Sequence, residues 1–157
     1  MFKNLFKKKK EPEFIVVNLN ARLQPMHRGE IYEDPLDEKL KQLGIGSVQG
    51  GGTLQSKTGE IENCDIEIEV ESSAPEAIEK IENIIKELQV PKGSSLIIEA
   101  TNSTIKIGEK EGMAIYLNGS DLEPTVYENT DINVVIEEIT KLINGVGSIE
   151  SHWEGSI

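Results

Sequence analysis

Eight residues, Cys64-Asp-Ile-Glu-Ile-Glu-Val-Glu71, constrain this chain more than any other stretch. Apolar and acidic side chains alternate without a break, a period of two that a strand satisfies and a helix does not. Cys64, Ile66, Ile68 and Val70 then face a core, and Asp65, Glu67, Glu69 and Glu71 form a row on the other face, about 7 Å apart. A strand with one apolar and one charged face belongs in an antiparallel sheet covered on one side only. Gly50-Gly-Gly-Thr53 precedes it, and glycine at this density in a neighbouring strand marks a bulge or the close approach of another backbone.

The flanking segments supply the rest of such a sheet. Phe14 to Asn20 is a β-rich run. Gln24 to Glu33, with Pro25 and Gly29, has no clear period and reads as an excursion from the core. Asp34-Pro35 followed by Leu36, Leu40 and Leu43 predicts a helix with an Asp N-cap, proline at its first position and Gly44 as its stop. Ile45 to Leu54 occupies the place of a second strand. Ser73-Ala-Pro-Glu76 has the spacing of a capping box, and the run it opens carries Ile78, Ile81, Ile84, Ile85 and Leu88 on one stripe. Ser95 to Ala100 follows as a strand. The order β-α-β-β-α-β is the ferredoxin-like grammar, with both helices on one face of an antiparallel sheet.

Hairpin, helix and strand then recur. Thr104 to Ile107 and Met113 to Leu117 flank a turn, Asp131 opens a helix carrying Ile132, Val135, Ile136, Ile139, Leu142 and Ile143, and Gly147 to Glu154 ends the chain as a strand. The expected fold is therefore α+β: a ferredoxin-like core extended by a second β-β-α-β half. Residues 1–12 form a basic flexible tail. Residues 13–157 form a single α+β domain, divisible into half-domains 13–101 and 102–157.

Charge narrows the function. Net charge is -12, yet Lys3 and Lys7 to Lys10 are five of the sixteen basic residues. From Glu11 onward eleven basic residues face twenty-eight acidic ones, a net -17 that repels phosphate backbones and excludes nucleic acid as a partner of the body. A basic protein is the partner such a surface attracts. The lysine tail, with Phe2, Leu5 and Phe6 at helical spacing, suits at most weak contact with an anionic membrane surface, and no apolar run approaches a membrane span. Cys64 is the only cysteine, so no internal disulfide can form and a reducing cytoplasm fits.

No catalytic signature stands out. Met26-His27-Arg28-Gly29-Glu30 is the most chemically varied stretch, and His27 with Glu30, Asp34 or Asp37 is the one combination able to serve as a general acid/base pair; a contact loop is the plainer reading. His152 and Trp153 point to opposite faces if they lie in a strand, leaving Trp153 as core or as binding anchor. No paired-cysteine or histidine spacing supports a metal site. Gly44-Ile-Gly46-Ser-Val-Gln-Gly50 fails as a dinucleotide fingerprint, because it follows a helix and its third glycine is one position late. No cofactor is therefore expected.

At Arg22 to Glu30, Asp34 to Glu38, Gly50 to Thr53 and Cys64 to Glu67 the chain resembles small bacterial proteins of uncharacterised function, and in size and acidity it is similar to immunity proteins that neutralise cationic toxins. The charge pattern leads to the expectation of a non-enzymatic cytoplasmic protein that binds a basic partner through Asp65, Glu67, Glu69 and Glu71, with further contacts from His27, Arg28 and Glu30, and the resemblance implies an immunity role for it. The alternative is an enzyme or small-ligand protein built on His27 and nearby carboxylates.

Overall fold

The computed structural model describes residues 11–152, and its first unit, which ends at Gly112, is built around a five-stranded antiparallel sheet. The strands are β1 (Glu13–Leu19), β2 (Gly46–Gln55), β3 (Ile61–Val70), β4 (Ser94–Ile98) and β5 (Ser103–Ile107), in the order β2-β3-β1-β4-β5. Because β1 is antiparallel to both β3 and β4, and β3 to β2, strands β1 and β2 run parallel with β3 between them. The same holds for β3 and β4, with β1 between them. Each helical connection thus crosses over one strand.

Register assembles one core. Ile15 lies opposite Ile68 and Ile98, Val17 opposite Ile66 and Leu96, and Leu19 opposite Cys64, all buried on the same face. Leu36 and Leu40 from one helix and Ile81, Ile84 and Ile85 from another close over that face. Full burial of each such side chain contributes about 1.5–3 kcal/mol, so the alternation in β1 and β3 is the main determinant of which face is covered.

Gln24 to Glu33, expected as an irregular excursion, is instead helical from Pro25 onward. α1 (Pro25–Arg28) begins with proline at its first turn, a wide π-helical turn follows at Gly29–Glu33, and α2 (Asp34–Leu43) continues from it. Asp34 is therefore not an N-cap: its backbone amide donates to the Gly29 carbonyl across the wide turn. Pro35 has no amide to donate and its ring crowds the preceding turn, which the widened turn accommodates. Gly44 ends α2 in the left-handed region at φ 63°, as expected from its position.

α3 (Pro75–Glu87) forms as its apolar stripe predicts, but the capping box does not. Pro75 at the first helical position makes Ala74 the N-cap, one residue later than the box requires. Ser73 turns to β1 instead, donating from its amide to Glu13 Oε2 at 2.7 Å and from its hydroxyl to the same oxygen.

Thr104 to Ile107 falls within β5, which pairs with β4 across a tight turn where Asn102 takes φ 51°. This pairing places Ile105 and Ile107 against the core, and the first unit therefore runs beyond residue 101 to Gly112. The second unit contains α4 (Pro124–Asn129) and α5 (Ile132–Ile143), whose Asp131 N-cap accepts from Asn133 N at 2.9 Å. The helix expected from Asp131 is present. Met113 to Leu117 is irregular, and no strand forms among residues 147–152, so the expected second β-β-α-β half is not present among the described residues. Β-pairing of Thr104 to Ile107 with β4 removes the strand that this half needed. Residues 1–10 of the basic tail, and Trp153 and Glu154 of the expected last strand, lie outside the described residues.

Candidate functional site

The sheet face away from α2 and α3 carries the acidic row. Asp65 stands opposite Asn18, Glu67 opposite Val16 and Glu69 opposite Phe14, and Glu71 lies one residue past the end of β3. Glu67 and Glu71 are exposed, Asp65 and Glu69 half-buried. Across β1 the same rungs continue to Ser95 and Ile97 on β4, then to Lys106 and Thr104 on β5. The face therefore has an acidic side on β3 and a half-buried apolar strip of Phe14, Val16 and Ile97 beside it.

Among the described strand residues, Lys106 is the cation on this face nearest to the row, and it is three strands away, about 14 Å at the usual strand spacing. That exceeds the screening length of about 8 Å at physiological salt. No cation of the sheet's own strands therefore screens the row, which can attract and orient a cationic surface.

The triglycine makes this arrangement possible on both faces of β2. A register shift between Val48 and Gly50 bulges the strand. On the open face, Gly52 N donates to Asp65 Oδ1 at 2.6 Å, and a Cβ on Gly52 would collide with that oxygen. On the helix-covered face, a Cβ on Gly51 would lie 2.7 Å from Glu33 Oε1 and 2.9 Å from Arg28 Nε.

Arg28 occupies that covered side, not the acidic face. Its side chain is 7% exposed and its Nε is ion-paired with Glu33. Nη1 donates to Gly52 O at 2.7 Å and to Thr53 Oγ1 at 2.5 Å, and Nη2 donates to Gly51 O at 3.1 Å. Every nitrogen of the guanidinium is thus engaged within the fold, and Arg28 fastens the π-helical turn to the edge strand β2. Asp37 adds a second tie by accepting from Val48 N at 2.9 Å. Its hydrogen bond to Lys41, opposed by partial burial and aided by the Val48 amide, holds its carboxyl below the usual value.

His27 and Glu30 do not join the row either. His27 Nδ1 is buried with no hydrogen-bond partner among the described residues, and Glu30 is exposed. An open cleft of about 230 Å³ borders Glu33, Asp34, Asp37 and the β2 bulge, and a larger one of about 510 Å³ lies between the end of α3 and β5. His27 lines neither. Among the described residues no group of His, Cys, Asp and Glu is placed to hold a metal ion. Burial pushes the Cys64 thiol up, and its Sγ donates to Ala21 O at 3.5 Å.

The structure thus unites Asp65, Glu67, Glu69 and Glu71 and separates them from His27, Arg28 and Glu30. Phe14, Val16 and Ile97 were missed because each lies in a run that reads as wholly apolar, where periodicity cannot assign a face. Arg28 had a legible signal: Arg28, Tyr32, Leu36 and Leu40 recur every four residues, and all are buried. No protein-family model matches the chain, and no match was found among curated proteins or solved structures.

Proposed function

We propose that this chain is a non-enzymatic, cytoplasmic interaction protein that binds a basic protein partner through its open sheet face, and that its specific form is an immunity protein against a cationic toxin. The observation that carries the reading is the row of Asp65, Glu67, Glu69 and Glu71 beside the Phe14–Val16–Ile97 strip, with no cation on β1, β2 or β3 of that face. Carboxylates steer the partner and the apolar strip supplies area to bury, the combination that gives both rate and residence time. The two crossovers, each spanning one strand, support describing the core as ferredoxin-like. Among the described residues no helix is long and apolar enough to cross a membrane.

The second reading, an enzyme or small-ligand protein using His27, is less favoured than the acidic face: His27 lines neither of the two clefts described, and its Nδ1 bonds to no carboxylate among the described residues. Capture from native lysate tests the proposal. Wild type should retain one basic protein that the variant Asp65→Lys, Glu67→Lys, Glu69→Lys, Glu71→Lys loses. Equal recovery by both proteins rules out the acidic face.

A further inference from the structure

The second unit repeats the opening of the first. Leu19-Asn20, Leu23-Gln24-Pro25 and Gly44-Ile45-Gly46-Ser47-Val48 recur in the same order, about 100 residues on, as Leu117-Asn118, Leu122-Glu123-Pro124 and Gly145-Val146-Gly147-Ser148-Ile149. Local structure recurs with them. α1 and α4 each begin on the proline, behind an extended N-cap at Gln24 and Glu123. α2 and α5 are each closely followed by a glycine in the left-handed region, Gly44 at φ 63° and Gly145 at φ 85°. Leu36 and Leu40 of α2 then correspond to Val135 and Ile139 of α5, and Val17 and Leu19 of β1 to Ile115 and Leu117.

Their surroundings differ. Val17, Leu19, Leu23, Leu36 and Leu40 are at most 6% exposed, because β3, α3 and β4 close over them. In the second unit Ile115, Leu117 and Leu122 are 45–58% exposed, Val135 and Ile139 are half-buried, and none of the described residues is buried. Residues 113–152 contain no counterpart of β3, α3 or β4. The same lack accounts for the irregular path of Met113 to Leu117: β1, its equivalent, draws its ladder from β3 and β4.

We propose that residues 113–149 are a partial second copy of the β1-to-β2 part of the fold, and that their bare apolar face is a docking site for a strand–helix–strand segment of another polypeptide, patterned as β3, α3 and β4 are. Its strands pair with Met113 to Leu117, and its amphipathic helix covers Val135 and Ile139. Main-chain pairing supplies affinity, and the alternation of side chains fixes register. Charge selects the outer surface of the occupant. Residues 113–149 hold six acidic residues and a single cation, Lys141, so a segment with lysine or arginine at its outward positions is complementary and a second copy of this unit is not.

A synthetic segment spanning Ile61–Ile98 with Glu67→Lys and Glu69→Lys, titrated into the full chain and followed by amide NMR, tests the docking site. The amides of Met113 to Leu117, Val135 and Ile139 should shift, and hydrogen exchange at Met113 to Leu117 should slow tenfold or more. Leu117→Ser with Ile139→Ser in the full chain should weaken binding at least tenfold and leave the first unit's amides unchanged. Adding Ile66→Ser, Ile68→Ser and Ile84→Ser to the segment should weaken it as much, which charge attraction alone would not do. Millimolar segment that moves no amide in the second unit overturns the proposal. Shifts confined to Phe14 to Asn18 and Asp65 to Glu71 also overturn it, while leaving the acidic-face reading intact. Exchange at Met113 to Leu117 that is already slow in the chain alone assigns the cover elsewhere, to the chain itself if independent of protein concentration and to a second copy if not, and either result overturns the proposal.

Discussion

Arg28→Met removes a guanidinium while keeping most of the aliphatic stem, and its cost follows from the contacts of that group. Four hydrogen bonds disappear: one to the Glu33 carboxylate and three to Gly51 O, Gly52 O and Thr53 Oγ1. Glu33, 20% exposed, is left without its cation. Breaking one half of a buried pair costs about 3–5 kcal/mol, more than the net value of any one of the bonds, because the remaining charge has lost its compensation. Domains of this size have about 5–15 kcal/mol in total, so the variant should lose a large fraction of its stability. Urea unfolding followed by far-UV circular dichroism should show the midpoint falling by about 2 M, at a slope of about 1–3 kcal/mol per molar. Adding Glu33→Gln should then cost much less than it does alone, with a coupling of at least about 1 kcal/mol. A loss below about 1 kcal/mol, or strict additivity, would refute the reading of Arg28 as the fastener between the π-helical turn and β2.

Gly51→Ala should destabilise by about 1–3 kcal/mol in thermal or urea unfolding, since its Cβ meets Asp65 O, Glu33 and Arg28 with no flexible atom able to retreat freely. Gly29→Ala, whose Cβ meets nothing within 4 Å, should be neutral or gain up to about 1 kcal/mol. Asp37 titrates in the folded state below the ordinary 3.8, so its contribution is complete above that value and is lost as the pH falls through the lowered one. Stability measured between about pH 5 and pH 2 should accordingly fall less steeply in Asp37→Asn than in wild type.

How much of this was legible in the chain depended on whether a signal was local. The alternation in Cys64 to Val70 and the stripe in Ile78 to Ile85 are periodic within one element, and both elements stand where the period puts them. The helix opened by Asp131 succeeded for the same reason. Residues 24–33 failed because a π-helical turn breaks the 3.6-residue period, leaving the four-residue recurrence of Arg28, Tyr32, Leu36 and Leu40 as the trace of the helical segment. Ser73 failed as a cap because Glu13, sixty residues away in sequence, competes for its hydroxyl and amide. Thr104 to Ile107 reads as strand from its own residues, but its choice of β4 over Met113 to Leu117 is a pairing decision, fixed by contact between elements. The acidic row was visible at once. Its apolar flank was not, because Phe14, Val16 and Ile97 acquire a common face only when β1 and β4 pair.

On the function proposed above, the acidic face with its apolar strip receives the partner. Hydrogen exchange of the chain alone and in complex with the basic protein it captures tests that claim most directly. Slowed exchange should concentrate at Phe14 to Asn18, Asp65 to Glu71 and Ser95 to Ile97, with the Pro25–Leu43 helical segment and α3 unchanged. Protection confined to that helical segment, with the sheet face exchanging as in the free chain, would contradict the account.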